Sequence, residues 1–345
     1  MLIKKKSVKK FTQYFLEKIG LTNKNNKIIS ELLINADMSN HFSHGIIRLI
    51  QYYEMVKKGV YKIDKFPKIK KKAGNFLHID GNRSFGQIAM DFACKSIIRY
   101  NKSIVVTSVI NVGHIGRLSD YSESLSKKGY VALIFCNGGG PNTSIYPSSE
   151  RIVGTNPFSF STPINKKKNF VVDFATSKLA EGKINIAKLN KEKIYGNPII
   201  SKDGKISNNP TDLYNGGSLS TFGEIKGSAF SLVNEILGGI LISDNNPINN
   251  NYKDGNNCLI IAIKKNLFNF NKTFLNQFNK IEKKIKSSKK VKSLKNKKAY
   301  LPGEIEKEYY KISKSKGINY NKNSIKKLND FAKEKFNMRK NLMMK

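Results

Sequence analysis

Between residues 74 and 264, short apolar runs alternate with helix-patterned segments, and this alternation restricts the chain more than any other feature. FLHIDG (76–81) reads as a strand and turn, QIAMDFACKSIIRY (87–100) as a helix, and SIVVTSVIN (103–111) as a β-branched strand entering VGHIGR. LSDYSESLSKKG (118–129) is again helical, and YVALIFCN (130–137) is a strand running into GGGPNT. NFVVDFATS (169–177) reads as a buried strand, GSAFSLVNEILGGIL (227–241) as an apolar helix rich in small residues, and NNCLIIAIK (256–264) as a further strand. Strands and helices in alternation predict an α/β sheet.

The two ends carry a different pattern. In VKKFTQYFLEKIGL, Val8, Phe11, Phe15 and Ile19 recur near a 3.6-residue period and Gly20 stops the helix. KIISELLINADMS repeats the pattern, and GIIRLIQYYEMVKKG predicts a third helix that Gly45 interrupts or starts and Gly59 ends. FLNQFNKIEKKIKSSKKVK (274–292) reads as a surface helix whose seven lysines from Lys280 to Lys292 form a solvated face. The tail after Gly317 returns to helix.

The net charge of +37 raises the question of a polyanionic partner. The lysines are spread along the chain together with abundant Asn and Ile, the pattern of a codon bias toward AT-rich DNA. No ring of aromatics lies among them to stack bases, and no Arg-rich stripe is present. We therefore expect neither a nucleic-acid nor a membrane partner. Cys94, Cys136 and Cys258 form no CxxC pair, which fits a reducing compartment. The N-terminus lacks the apolar run of a signal peptide, and no window approaches 18 apolar residues. The expected location is cytoplasmic.

NHFSHGIIRLIQYY (40–53) holds two of the four histidines. A helix starting near Ser43 would project His44, Arg48 and Tyr52 from one face. A histidine gives or takes a proton near neutral pH, and an arginine holds a carboxylate with paired N–H bonds. Together they suit a 2-hydroxy or 2-oxo acid; an ordinary amphipathic helix with a polar stripe has the same spacing. Asp37, His41 and His44 also permit a metal reading, but no HExxH, second His pair or Cys partner accompanies them, and no metal is expected. In NVGHIGRLSDY (111–121), a strand enters a Gly-His-x-Gly turn that presents His114 where α/β enzymes place their chemistry. VVDFATSKLAEGK (171–183) ends an apolar strand at Asp173, with Thr176 and Ser177 able to start a helix whose N–H groups suit phosphate. LPGEIE (301–306) reads as a Pro-Gly turn carrying Glu304 and Glu306. No G-x-G-x-x-G follows a strand, and neither a P-loop nor a G-x-S-x-G elbow is present, so a Rossmann domain is not supported.

In order, ADMSNHFSHGIIRL, GHIGRLSDY, RIVGTNPFSF, VVDFATSKLAEGKINIA, TFGEIKGSAFSLVNEILGGIL and LPGEIE resemble the malate/L-lactate dehydrogenase family of the second type, across roughly residues 5–325. The HIGR and TFGEIKGSAF segments look most like its hydroxycarboxylate dehydrogenase B branch. The resemblance implies a homodimeric oxidoreductase using NAD or NADP on a small 2-hydroxy/2-oxo acid. It implies His44 as proton donor, with His114 the acid/base in some members, and Arg48 on the substrate carboxylate. Ser43, Tyr52 and Thr155 are placed as further substrate contacts. Cofactor contacts would fall on His44; on Gly116, Arg117 and Leu118; on Val171, Val172, Asp173, Phe174 and Ala175; on Ile225 and Lys226; on Asn257; and on Gly303, Glu304, Ile305 and Glu306. Ile225 stands where relatives often carry His and offers only backbone and apolar contact. YPSSER (146–151) and NGGGPNT (137–143) also depart from the family pattern.

The expected fold class is α/β: a non-Rossmann, three-layer mixed-sheet body with a helical subdomain built from both termini. The expected parts are 1–73 (helical), 74–299 (cofactor-binding body) and 300–345 (packed on the first). The competing class is a drifted paralogue acting as a basic polyanion-binding scaffold; the presence of His44, Arg48 and His114 argues for the enzyme.

Overall fold

The computed structural model describes residues 1–249 and 252–338. Its centre is a seven-stranded sheet in the order Lys68–Ala73, Phe76–Asp80, Ile104–Val112, Asn256–Lys264, Tyr130–Gly138, Phe158–Pro163 and Asn169–Phe174. Phe76–Asp80 and Ile104–Val112 are parallel because the helix Gly86–Tyr100 crosses over between them. The other neighbouring pairs are antiparallel. Asn256–Lys264 inserts between Ile104–Val112 and Tyr130–Gly138, antiparallel to both, so a late strand splits what would otherwise be a second crossover pair.

Alternation along the strands decides what covers each face. Val105, Val109, Ala132, Ile134, Cys136, Cys258, Ile260 and Ala262 point into one apolar core under the helices Gly86–Tyr100 and Ser119–Lys127. On the opposite face Phe135 packs on Phe158, which meets Phe230 of the helix Ile225–Glu235. That helix runs on as one π-helical turn, Ile236–Ile240. This agrees with the expected three-layer mixed sheet.

A second core joins the two ends of the chain. Phe11, Phe15 and Leu16 of Lys5–Lys18, Ile29 and Leu33 of Asn23–Met38, and Leu49 and Tyr52 of Arg48–Lys57 pack with Ile318, Tyr320, Ile325 and Leu328 from the C-terminal segment. Phe15 is fully buried, with Phe331 at 6.0 Å and Phe336 at 4.9 Å, centroid to centroid. Leu2–Ile3 pairs with Ile318–Asn319 as a short antiparallel ladder. The helical subdomain is thus built from both termini. The helix Lys272–Ser287 contains no buried residue and lies on the surface, as its lysines predict.

Several local expectations are corrected. The strand at 169–174 is the edge of the sheet, with only Val171 buried. No helix starts at Thr176 or Ser177; Thr176 N–H donates to Thr155 O, and the helix begins at Glu181. Glu304 and Glu306 open a helix, Glu304–Lys316, instead of standing in a turn. The sheet also takes in Lys68–Ala73, which lies before the change in texture at residue 74.

Candidate active site

Asp37 ends the second helix as a buried carboxylate. Its Oδ2 accepts the Ile46 N–H (3.1 Å) and the Tyr320 hydroxyl (2.7 Å). A Cβ at Gly45 would stand 1.6 Å from Asp37 Oδ1, so only glycine lets the chain pass. Here the expected single helix fails. Phe42–His44 is one 3₁₀ turn, Gly45 is extended, and the α-helix starts at Arg48. His44 and Arg48 therefore do not share a helical face; the Asp37 mould sets their relation.

The turn nonetheless brings His44 to His114. Their rings lie 5.5 Å apart, centroid to centroid, at 27°. His114 comes from the loop between the strand Ile104–Val112 and the helix Ser119–Lys127, and its backbone N–H donates to Tyr61 Oη (2.8 Å). Burial first, and then the Arg48 charge, push both imidazoles well below 6.5. Both rings are accordingly neutral at pH 7.

The tautomer of His114 follows from its neighbours. Burial pushes the Tyr52 phenol up to about 12, so it keeps its proton. Gln87 Nε2 donates to Tyr52 Oη, which leaves the phenol proton for His114 Nδ1 (3.0 Å). His114 then carries its own proton on Nε2. Tyr52 is fully buried and stands behind His114. Ser43 is likewise buried, with its hydroxyl 3.0 Å from His44 Nδ1. Both were expected to touch substrate; each holds a histidine, and Ser43 also lines the cavity beside Arg48. Sequence reasoning misses Gln87 and Tyr61, because a polar residue on a helix and a lone tyrosine give no signal.

Arg48 keeps its side chain beside this pair. Nε donates to Ser43 O (2.6 Å), Nη1 to Gln51 Oε1 (2.8 Å), and Nη2 lies 3.8 Å from Glu181 Oε2. Thr155 is held through its backbone: its carbonyl accepts from Thr176, and its N–H donates to Gly138 O.

Most of the expected cofactor residues form one rim. Ser119 N–H donates to Asp173 Oδ2 (2.7 Å), which joins the loop Gly116–Leu118 to the strand end Val171–Ala175. Burial pushes the Asp173 carboxyl up, against the Ser119 N–H and the Arg117 charge. Arg117 itself pairs with Asp120 at 2.6 Å. Gly303 lies against Val171, and Glu306 reaches His41 at 3.5 Å, so Gly303–Glu306 borders both the strand end and the turn that carries His44. Phe174 packs on Phe222 and Phe230, next to exposed Ile225 and Lys226. Asn257 stands apart. It is buried, its Oδ1 accepts from Asn111 N and its Nδ2 donates to Asn245 O, so both ends of the side chain are used. The suggested metal trio also disperses: Asp37 turns to Ile46 and Tyr320, His41 to Glu306, and His44 to Ser43.

Among the described residues, no helix is long and apolar enough to cross a membrane. A family profile described as malate/L-lactate dehydrogenase matches residues 3–329. Hydroxycarboxylate dehydrogenase B of Escherichia coli (strain K12) is 32% identical over 238 residues, spanning 67% of this chain and 65% of that protein. L-Sulfolactate dehydrogenase of Methanocaldococcus jannaschii is 29% identical over 343 residues, 97% of each chain. A solved malate/lactate dehydrogenase structure from E. coli superposes with a TM-score of 0.91 at 26% identity, covering 99% of this chain and 97% of that one.

Proposed function

Because the chain belongs to the malate/L-lactate dehydrogenase family, we propose that it is an NAD(P)-dependent oxidoreductase interconverting a small 2-hydroxy acid and its 2-oxo acid. The observation that carries this reading is the stacked His44–His114 pair with Arg48 beside it.

The rim fits a dinucleotide in its chemistry. Asp173 and Glu306 are acceptors suited to ribose hydroxyls, and Phe174 and Ile225 are exposed flat or aliphatic surfaces suited to rings. The start of the helix Ser119–Lys127 is already occupied by Asp173, so phosphate would rely on other donors. A bound nicotinamide supplies or accepts the hydride. Gly116–Leu118, Val171–Ala175, Ile225–Lys226 and Gly303–Glu306 would hold the cofactor. His44 lies at the junction of cofactor and substrate.

The chain's own residues supply orientation and a proton. Arg48 takes the substrate carboxylate and turns C2 toward the histidines. His44 delivers a proton to the carbonyl oxygen during reduction and takes it back during oxidation. His114, with its Nε2 proton fixed by Tyr52, donates a hydrogen bond to the same oxygen or serves as the alternate acid. Ser43 and Tyr52 act through the histidines.

We read the chain as three parts, 1–73, 74–299 and 300–345, and the protein as a cytoplasmic homodimer. Leu232, Val233, Ile236 and Ile240 on the Ile225–Ile240 helix, with Leu241 just past its end, support the dimer as an exposed apolar stripe. The three cysteines are free and buried, in keeping with a reducing compartment.

The test is a panel of 2-oxo acids assayed with NADH and with NADPH, wild type beside Arg48→Ala. Wild type oxidises a reduced nicotinamide with at least one acid, and Arg48→Ala raises KM roughly 10–100-fold. No turnover across the panel contradicts the reading.

A further inference from the structure

Beside Arg48 a cavity of about 370 Å³ opens between the catalytic turn and the helix Glu181–Asn190. Two bonds fix the guanidinium plane, from Nε to Ser43 O and from Nη1 to Gln51. Nη2 is left facing Glu181. That carboxylate is itself anchored, because its Oε1 accepts the Tyr214 hydroxyl at 2.7 Å. The helix is also packed tightly on the turn. Gly182 is pressed so close that a Cβ there would stand 2.6 Å from Ser43 Cβ and 2.9 Å from Arg48 Nη2.

We propose that Glu181 is a specificity-determining residue that selects 2-oxo acids bearing one anionic group and an aliphatic side chain, against those carrying a second anion. The assignment rests on the function proposed above. A substrate carboxylate docked on Arg48 arrives next to a carboxylate held in place by Tyr214 and Arg48. One negative charge is offset by the guanidinium. A second, on the substrate's side chain, meets Glu181; of the other cations whose charge reaches His44, Arg117 is paired with Asp120 and Lys183 is exposed to solvent. Lys327 lines the same cavity but is exposed, so solvent and salt screen it. Ile47, Ile186 and Leu189 supply the apolar wall that an aliphatic side chain would cover. Discrimination here comes from a repulsive element built against the wrong ligand.

The experiment measures kcat/KM for 2-oxobutyrate and for oxaloacetate in wild type, Glu181→Gln, Tyr214→Phe and Lys327→Gln. Thermal-shift titrations with the same two acids read binding independently of turnover. Wild type prefers 2-oxobutyrate. Glu181→Gln narrows the ratio on the order of 10-fold or more, chiefly by lowering KM for oxaloacetate, and Tyr214→Phe narrows it less. A wild type that prefers oxaloacetate and loses that preference in Lys327→Gln overturns the assignment, as does an unchanged ratio in Glu181→Gln. Binding that discriminates between the acids without any turnover refutes the dehydrogenase reading and leaves the role of Glu181 standing.

Discussion

His44 and His114 stack with ring centroids 5.5 Å apart, although one rides on a 3₁₀ turn of the helical subdomain and the other on a loop of the sheet. Each depends on a different support: His44 on the Asp37–Gly45 mould, and His114 on Tyr52 and Tyr61. The pair is where the two parts of the molecule meet chemically.

A pH dependence follows from the environment of the rings. Burial and the Arg48 charge hold both well below 6.5, so the free protein presents neutral imidazoles at pH 7. Oxidation of the hydroxy acid needs the neutral base, and its kcat/KM should stay flat above pH 6.5 and fall only on the acid side. Reduction needs the protonated form, so its kcat/KM should keep rising as pH drops below 6.5. A break at the ordinary imidazole value in both profiles would count against this environment.

Tyr52→Phe removes the hydroxyl between Gln87 and His114. It leaves a buried amide donor without its partner and frees the His114 tautomer. We expect a loss of stability of about 1–3 kcal/mol, and kcat down roughly 10-fold with KM for the acid little changed. Denaturant melts and steady-state kinetics measure the two effects separately.

Gly45→Ala forces the turn away from Asp37, since the added methyl would overlap Oδ1. The helices on either side share the large core built from both chain ends and should survive, so circular dichroism stays close to wild type. Displacement of His44 by even ~1 Å lowers activity on the order of 10²-fold.

Asp37→Asn tests the buried acid through stability. Burial raises the Asp37 carboxyl from 3.8 to about 7, against the bonds from Tyr320 and Ile46. A group raised in the folded state contributes stability that is fully present below its unfolded value and is lost as pH rises through the folded one. The wild type should therefore lose stability, on the order of a few kcal/mol, as pH rises from about 4 to about 7. The Asp37→Asn variant should show no such slope, which melting temperatures across that range would reveal.

Much of the fold is legible in the sequence, because apolar period reports burial. The phenylalanines of Lys5–Lys18 and the β-branched run at 104–112 each face a core, as their spacing predicts. KIKKKA at 68–73 gives no strand signal: it is an edge strand, five of its six residues are exposed, and its lysines carry no apolar alternation. At the site, residue types point to the histidines and the arginine but not to their support. The break at Gly45 depends on a carboxylate from another helix, and the role of Tyr52 depends on a partner 62 residues away. Asn257 likewise reads as available in the sequence, whereas Asn111 and Asn245 claim it in the fold. Such contacts are long-range, and spacing along one chain does not encode them.

The most direct test of the histidine pair is turnover of the best 2-oxo acid with reduced nicotinamide by His44→Ala and His114→Ala, each compared with wild type at saturating substrate. His44→Ala should slow kcat on the order of 10²–10⁴-fold, with the smaller loss in His114→Ala. Full turnover in His44→Ala with none in His114→Ala would reverse the roles, and full turnover in both would remove the pair from the chemistry.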